Sequence, residues 1–127
     1  MALEQVLTPK QKALEINLNP KIYGSFAEIG AGQETVRFFY RAGAASGTVA
    51  KAMSAYDKEM SDSIYGIEED RRYVTQARLK KMLDHEMELM KERLIQDHYK
   101  EKAFFTYANT VTTIDYSKKN EGQGWIG

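Results

Sequence analysis

From Thr75 to about Tyr99 the chain sets Leu79, Met82, Leu83, Met87, Met90 and Leu94 at steps of three or four in a background of Lys, Glu and Arg. That spacing predicts a long amphipathic helix over residues 74 to 99, and a helix with one apolar stripe has to lay it on another layer. The segment that follows can supply the layer. Ala103 to Tyr116 carries Phe104, Phe105, Tyr107, Val111 and Ile114 among threonines, a composition that favours one strand, or two strands bent near Asn109.

Upstream elements are shorter. Thr8-Pro9 reads as an N-cap followed by proline at the first helical position, which predicts a helix over 9 to 18. Ile22 to Ile29 is aromatic and β-branched and suits an extended piece. Gly30-Ala31-Gly32 then breaks the chain before a helix over 33 to 42, with Val36, Phe39 and Tyr40 on one face and Arg37 and Arg41 on another. Residues 48 to 65 form the fork. As a helix, Val49, Ala52, Met53, Tyr56, Met60 and Ile64 fall at steps of three or four, Ser46 caps the start and Gly66 stands at the C-cap. As a strand, Thr48 to Tyr56 puts Lys51 in the middle of one face. Periodicity and caps favour a helix over 47 to 65. The expected fold is therefore a helix-rich α+β domain with a small sheet, the alternative being a βαβ-type α/β sheet that uses Thr48 to Tyr56.

Composition limits the functions. A chain of 127 residues suits one domain. Eighteen Lys plus Arg against eighteen Asp plus Glu leave no formal net charge, which disfavours nucleic acid and anionic membranes as partners. Without cysteine there is no disulfide framework, thiolate chemistry or cysteine zinc site. The start, Met1 to Gln5, has no signal-peptide pattern, and no apolar run reaches the roughly 18 residues of a spanning helix, so the expected compartment is the cytoplasm.

Two small-residue loops carry the candidate chemistry. In Gly30-Ala31-Gly32-Gln33-Glu34-Thr35, backbone amides at a helix start could hold a phosphate, although Thr35 replaces the third glycine of a dinucleotide fingerprint and Glu34 would repel an anion. Gly43-Ala44-Ala45-Ser46-Gly47-Thr48 could offer Ser46, Gly47 and Thr48, with Lys51 just beyond, to phosphate oxygens, but it lacks the Walker pattern. If Thr48 to Tyr56 is a strand, Asp57 ends it as a ribose-binding acid does, and Glu28-Ile29-Gly30-Ala31-Gly32 resembles the Glu-x-Gly-x-Gly loop of methyltransferases. The candidate ligand-binding set is Gly30, Gly32, Gln33, Ser46, Gly47, Thr48 and Asp57. No metal site is expected. His85-Glu86 lacks the second zincin histidine at Leu89, and Asp84, Glu88 and Glu92 share their surroundings with Lys80, Lys81, Lys91 and Arg93.

Asn19 to Glu34, Ala42 to Gly47 and Ser54 to Asp57 together resemble the N-terminal part of an uncharacterised bacterial protein family. Its members sometimes carry the labels nicotinate-nucleotide adenylyltransferase or TonB-dependent receptor. Neither label finds its motifs here: the two histidines lack a Gly-His context, and a receptor needs many barrel strands. The likeness runs to Gly127 and implies a fragment of a larger cytoplasmic protein, with no catalytic residue carried over. Trp125 and Ile126 read as the opening of a further strand. They and Phe104, Phe105 and Tyr107 form the expected contact with the remainder of a parent chain or with a second copy in an oligomer. Two function classes follow: a non-catalytic structural or assembly module, or the ligand-binding part of an enzyme acting on a nucleotide or another phosphorylated metabolite.

Overall fold

The computed structural model describes residues 6–94, 101–114, 116–117 and 122–127. Thr8 opens the first helix with a capping box: its hydroxyl accepts from the Gln11 amide at 3.2 Å and its own amide donates to the Gln11 side chain at 2.8 Å. Helix α1 runs Pro9–Asn17 and strand β1 Ile22–Gly30. Next come α2, Thr35–Ala42, a 3₁₀ turn at Ala45–Gly47, and β2, Val49–Ala55. The chain continues through α3, Lys58–Tyr65, α4, Gln76–Arg93, β3, Ala103–Val111, and β4, Gly124–Ile126. Four helices and one mixed sheet make this an α+β fold.

The sheet order is β2-β1-β3-β4. β1 pairs in parallel with β2 on one side and with β3 on the other, and β4 returns antiparallel to β3. Alternation along β1 assigns its two faces. Phe26 meets Phe39 of α2 and Phe105 and Tyr107 of β3, with ring centroids 5.0, 5.4 and 5.7 Å away. Its odd-numbered neighbours Ala27 and Ile29 join Leu79 and Met82 of α4 and Ala108 in the buried core. Helices thus cover both faces, and the apolar stripe of α4 lies on the sheet as its spacing requires. Asn17, at the end of α1, ties that helix to α2 by donating to the Phe39 and Gly43 carbonyls at 2.9 and 2.8 Å.

One expected element is replaced. Residues 47 to 65 are not a single helix: Val49–Ala55 is an edge strand and only Lys58–Tyr65 is helical, so Met53 lies in β2 and Met60 in α3. Gly66 does end α3, with φ of 92°, but Asp57 caps its start through the Met60 amide at 2.8 Å. Lys51 is accommodated because its ammonium reaches the buried carboxylate of Glu86 on α4. The aromatic strand is also shorter than 103 to 116 and finds both neighbours within the chain, β1 and β4. Residues 95–99 of the expected long helix and residue 115 of the expected strand lie outside the described residues. Among the described residues, no helix is long and apolar enough to cross a membrane.

Candidate functional site

At the carboxyl end of β1 the glycine loop is clamped onto β3. Gly30 has φ of +77°, and an added Cβ would strike the Val111 carbonyl oxygen; only glycine takes that backbone without strain. The Ala31 amide donates to the same carbonyl at 3.2 Å. Asn109 holds both sides of the turn: its side-chain amide donates to Gly32 O at 2.8 Å, and its Oδ1 accepts from the Ile29 amide at 3.3 Å. Gln33 turns its side chain inward, donating to Glu28 O at 2.8 Å and Gly30 O at 3.0 Å. Thr35 and Tyr107 share a hydroxyl hydrogen bond of 2.8 Å.

The start of α2 already holds an anion. Glu28, 1% exposed, accepts from the amides of Thr35 at 3.2 Å and Val36 at 3.0 Å. Its carboxylate stands where the phosphate of a nucleotide-binding loop would meet the helix end. Glu34 is the N-cap residue and makes no side-chain capping bond.

The second loop faces the other way. Ser46, Gly47 and Thr48 precede β2, whereas Gly30, Gly32, Gln33 and Asp57 follow β1 or β2. The seven residues of β2 separate the groups by roughly 20 Å at the usual strand rise. The structure therefore does not bring the seven sequence-predicted residues together. Ser46 borders a shallow depression with Tyr40 and Val49 to Ala52, and Thr48 is fully buried with its hydroxyl unpartnered among the described residues.

The main cleft, about 960 Å³, opens at the carboxyl ends of the parallel strands. Gly30 of β1, Asp57 beyond β2 and Thr110 to Thr113 at the end of β3 line it. Tyr56, Lys58, Ser61, Arg72, Tyr73, Thr75 and Gln123 complete most of the wall. Because β2 and β3 flank β1 on opposite sides, and their connections run over opposite faces, the cleft lies where a parallel sheet splits its crossovers. Of the sequence-predicted residues, Gly30 and Asp57 are in this wall.

Under the wall, α3 and α4 are joined by a buried guanidinium. Arg78, 1% exposed, donates to Gly66 O at 2.7 Å, Ser61 Oγ at 2.9 Å and Glu68 Oε1 at 3.0 Å. Asp62 lies 3.5 Å away, and the guanidinium sits over Tyr73 and Tyr65, 4.9 and 5.6 Å from the ring centroids. Hydrogen bonding from Lys81 holds the Glu68 carboxyl below its ordinary range; the opposing effect of burial is outweighed, with Arg78 adding to the same side. On the far side of the pair, Tyr65 donates to the buried Glu86 at 2.8 Å. Burial first, then the Glu86 charge and hydrogen bond, push the Tyr65 phenol above its ordinary value, and Arg78 opposes the shift.

Sequence reasoning missed Lys58, Arg72, Tyr73, Thr75 and the Thr110 to Thr113 run. Lys58 opens α3, and Arg72, Tyr73 and Thr75 lie on the α3–α4 connection; the Thr110 to Thr113 run becomes informative through the adjacency of β1 and β3, since residues after two neighbouring parallel strands share one crevice. His85 stacks edge-on against Tyr65 at 5.3 Å. Among the described residues, no three His, Asp or Glu side chains converge as metal ligands. Phe105 and Tyr107 pack inward on Phe26, and Phe104 is half-buried. Trp125 and Ile126 stay 43% and 68% exposed. Comparison with protein-family models, with curated proteins and with solved structures returned no match to this chain.

Proposed function

We propose that the chain is a ligand-binding module whose cleft takes a nucleotide or a related phosphorylated metabolite as part of a cytoplasmic bacterial enzyme. The observation that carries this reading is the place of the cleft, at the carboxyl ends of adjacent parallel strands whose connections diverge. Its volume of about 960 Å³ falls within the range of roughly 300–1,000 Å³ usual for small-molecule sites. Asp57 beyond β2 is the candidate ribose acceptor, and Gly30 lines the cleft at the end of β1. Thr110 and Thr112 shape the wall instead of reaching for the ligand, because their hydroxyls donate to Tyr73 O at 2.8 Å and Gln123 O at 3.2 Å.

Thermal-shift screening against nucleotides, S-adenosylmethionine and simple phosphates tests the reading. A ligand that binds only the native chain, present at about 100 times its dissociation constant, stabilises by roughly 2.7 kcal/mol. The expected result is a shift with at least one nucleoside-containing compound, reduced when Thr112→Trp fills the cleft. A flat screen removes this reading. It leaves the other one, a non-catalytic assembly module, for which the exposed Trp125 and Ile126 speak as contacts to the rest of a parent chain or a second copy.

A further inference from the structure

The two ends of the cleft differ in which backbone and side-chain groups are still free to meet an anion. At the glycine loop and the start of α2, three backbone amides are used internally. Ala31 N is bonded to Val111 O, and Thr35 N and Val36 N are bonded to the Glu28 carboxylate. A phosphate placed there would have to displace a carboxylate that is 1% exposed or face it at close range, where like charges repel strongly.

The opposite wall carries the cleft's two cations. Asp57, Lys58, Glu59 and Arg72 are its charged groups. The Asp57 carboxylate is engaged at the head of α3 by Met60 N. Lys58 lies 5.5 Å from the Tyr73 ring centroid, and among the described residues neither Lys58 nor Arg72 stands in an ion pair. Thr75 Oγ1 accepts from Arg78 N at 3.1 Å, which leaves its hydroxyl proton to donate into the cleft.

We infer that the anionic group of the ligand is held by Arg72 and Lys58, not by the Gly30–Gln33 loop, and that the ligand is a nucleoside monophosphate. This rests on the reading of the cleft as a nucleotide site and fixes the ligand's direction within it. Asp57 and Glu59 offset the two cations in formal charge, so the wall favours the phosphate that adds least negative charge, a monoester of about −1.5 to −2 at neutral pH. A di- or triphosphate would set still more negative charge beside Asp57 and Glu59.

Calorimetric titration of the chain with AMP, GMP, CMP and UMP, and with the four matching nucleosides, tests the assignment. Arg72→Gln and Lys58→Gln are suitable variants because both side chains are exposed and, among the described residues, stand outside any ion pair, so circular dichroism should be unchanged. At least one monophosphate is expected to bind about tenfold or more tightly than its nucleoside. Arg72→Gln should remove most of that advantage while leaving nucleoside affinity as it was, with a smaller loss in Lys58→Gln. Monophosphate affinity unchanged in both variants, or a nucleoside that binds as tightly as its monophosphate, overturns the inference and leaves the cleft reading standing. If no nucleoside or nucleotide binds, both fall.

Discussion

Replacing Arg78 by methionine is expected to lower the unfolding free energy by about 3–5 kcal/mol, the usual cost of removing one partner from a buried charge cluster. The guanidinium is 1% exposed and is the common partner of Ser61, Gly66, Asp62 and Glu68. Without it, Asp62 loses its counter-charge, Glu68 keeps only Lys81, and methionine offers no donor to the Gly66 carbonyl. Lys81→Met provides the comparison. That ammonium also bonds Glu68, at 2.9 Å, but its side chain is 51% exposed, and such pairs are worth about 0–1 kcal/mol. Urea unfolding of both variants measures the contrast. An Arg78→Met midpoint equal to that of Lys81→Met would show that the cluster does not hold the two helices together.

Gly30→Val is expected to cost about 3 kcal/mol or more, from two additive causes. A β-branched residue at φ of +77° carries roughly 1–2 kcal/mol of backbone strain, and crowding of a packed site costs about 1–3 kcal/mol. Here the crowded atom is backbone, the Val111 carbonyl oxygen, which cannot rotate away as a side chain would. Gly122→Ala is the control, because an added Cβ there meets nothing within 4 Å. Unfolding midpoints separate the two, and equal midpoints would contradict the close approach of the β1 and β3 ends. Gly32 is a poor probe of ligand binding for a related reason: a Cβ there would lie 2.6 Å from Asn109 Oδ1, so its substitution reports on the fold as well.

Where the sequence was readable, a periodic signal and its local cause coincided. The α4 stripe faces the sheet, Thr8-Pro9 caps α1, and the aromatic run after α4 is a strand. Residues 49–55 were misleading because the objection to a strand, Lys51 in its middle, is answered by Glu86, a partner 35 positions away that no local window contains. The apolar steps of three or four in 48 to 65 were shared between an edge strand, where Met53 and Ala55 pack toward α4, and a helix of half the expected length. Gly66 did mark a helix end, but Ser46 was not its start.

The candidate site was legible in part for the same reason. Two glycines after an apolar run correctly marked a tight turn before a helix, and Asp57 does end β2. What the loop does with its amides depends on Glu28, whose carboxylate turns back to the α2 start. The second small-residue loop fell at the opposite end of the sheet once 49–55 became a strand. The Thr110 to Thr113 run acquires meaning only from the parallel pairing of β1 with β3, a contact between residues about 80 positions apart, and Arg72 only from the α3–α4 connection that returns to the same cleft.

The central claim, that the carboxyl-end cleft is the ligand site, is tested most directly by amide chemical-shift mapping of the isotope-labelled chain during titration with the four ribonucleoside monophosphates. The expected shifts gather at Gly30, Asp57 to Glu59, Arg72 to Thr75 and Thr110 to Thr113 and saturate with one dissociation constant. No saturable shift, or shifts confined to the depression around Tyr40 and Ser46 to Ala52 at the other end of the sheet, would contradict it.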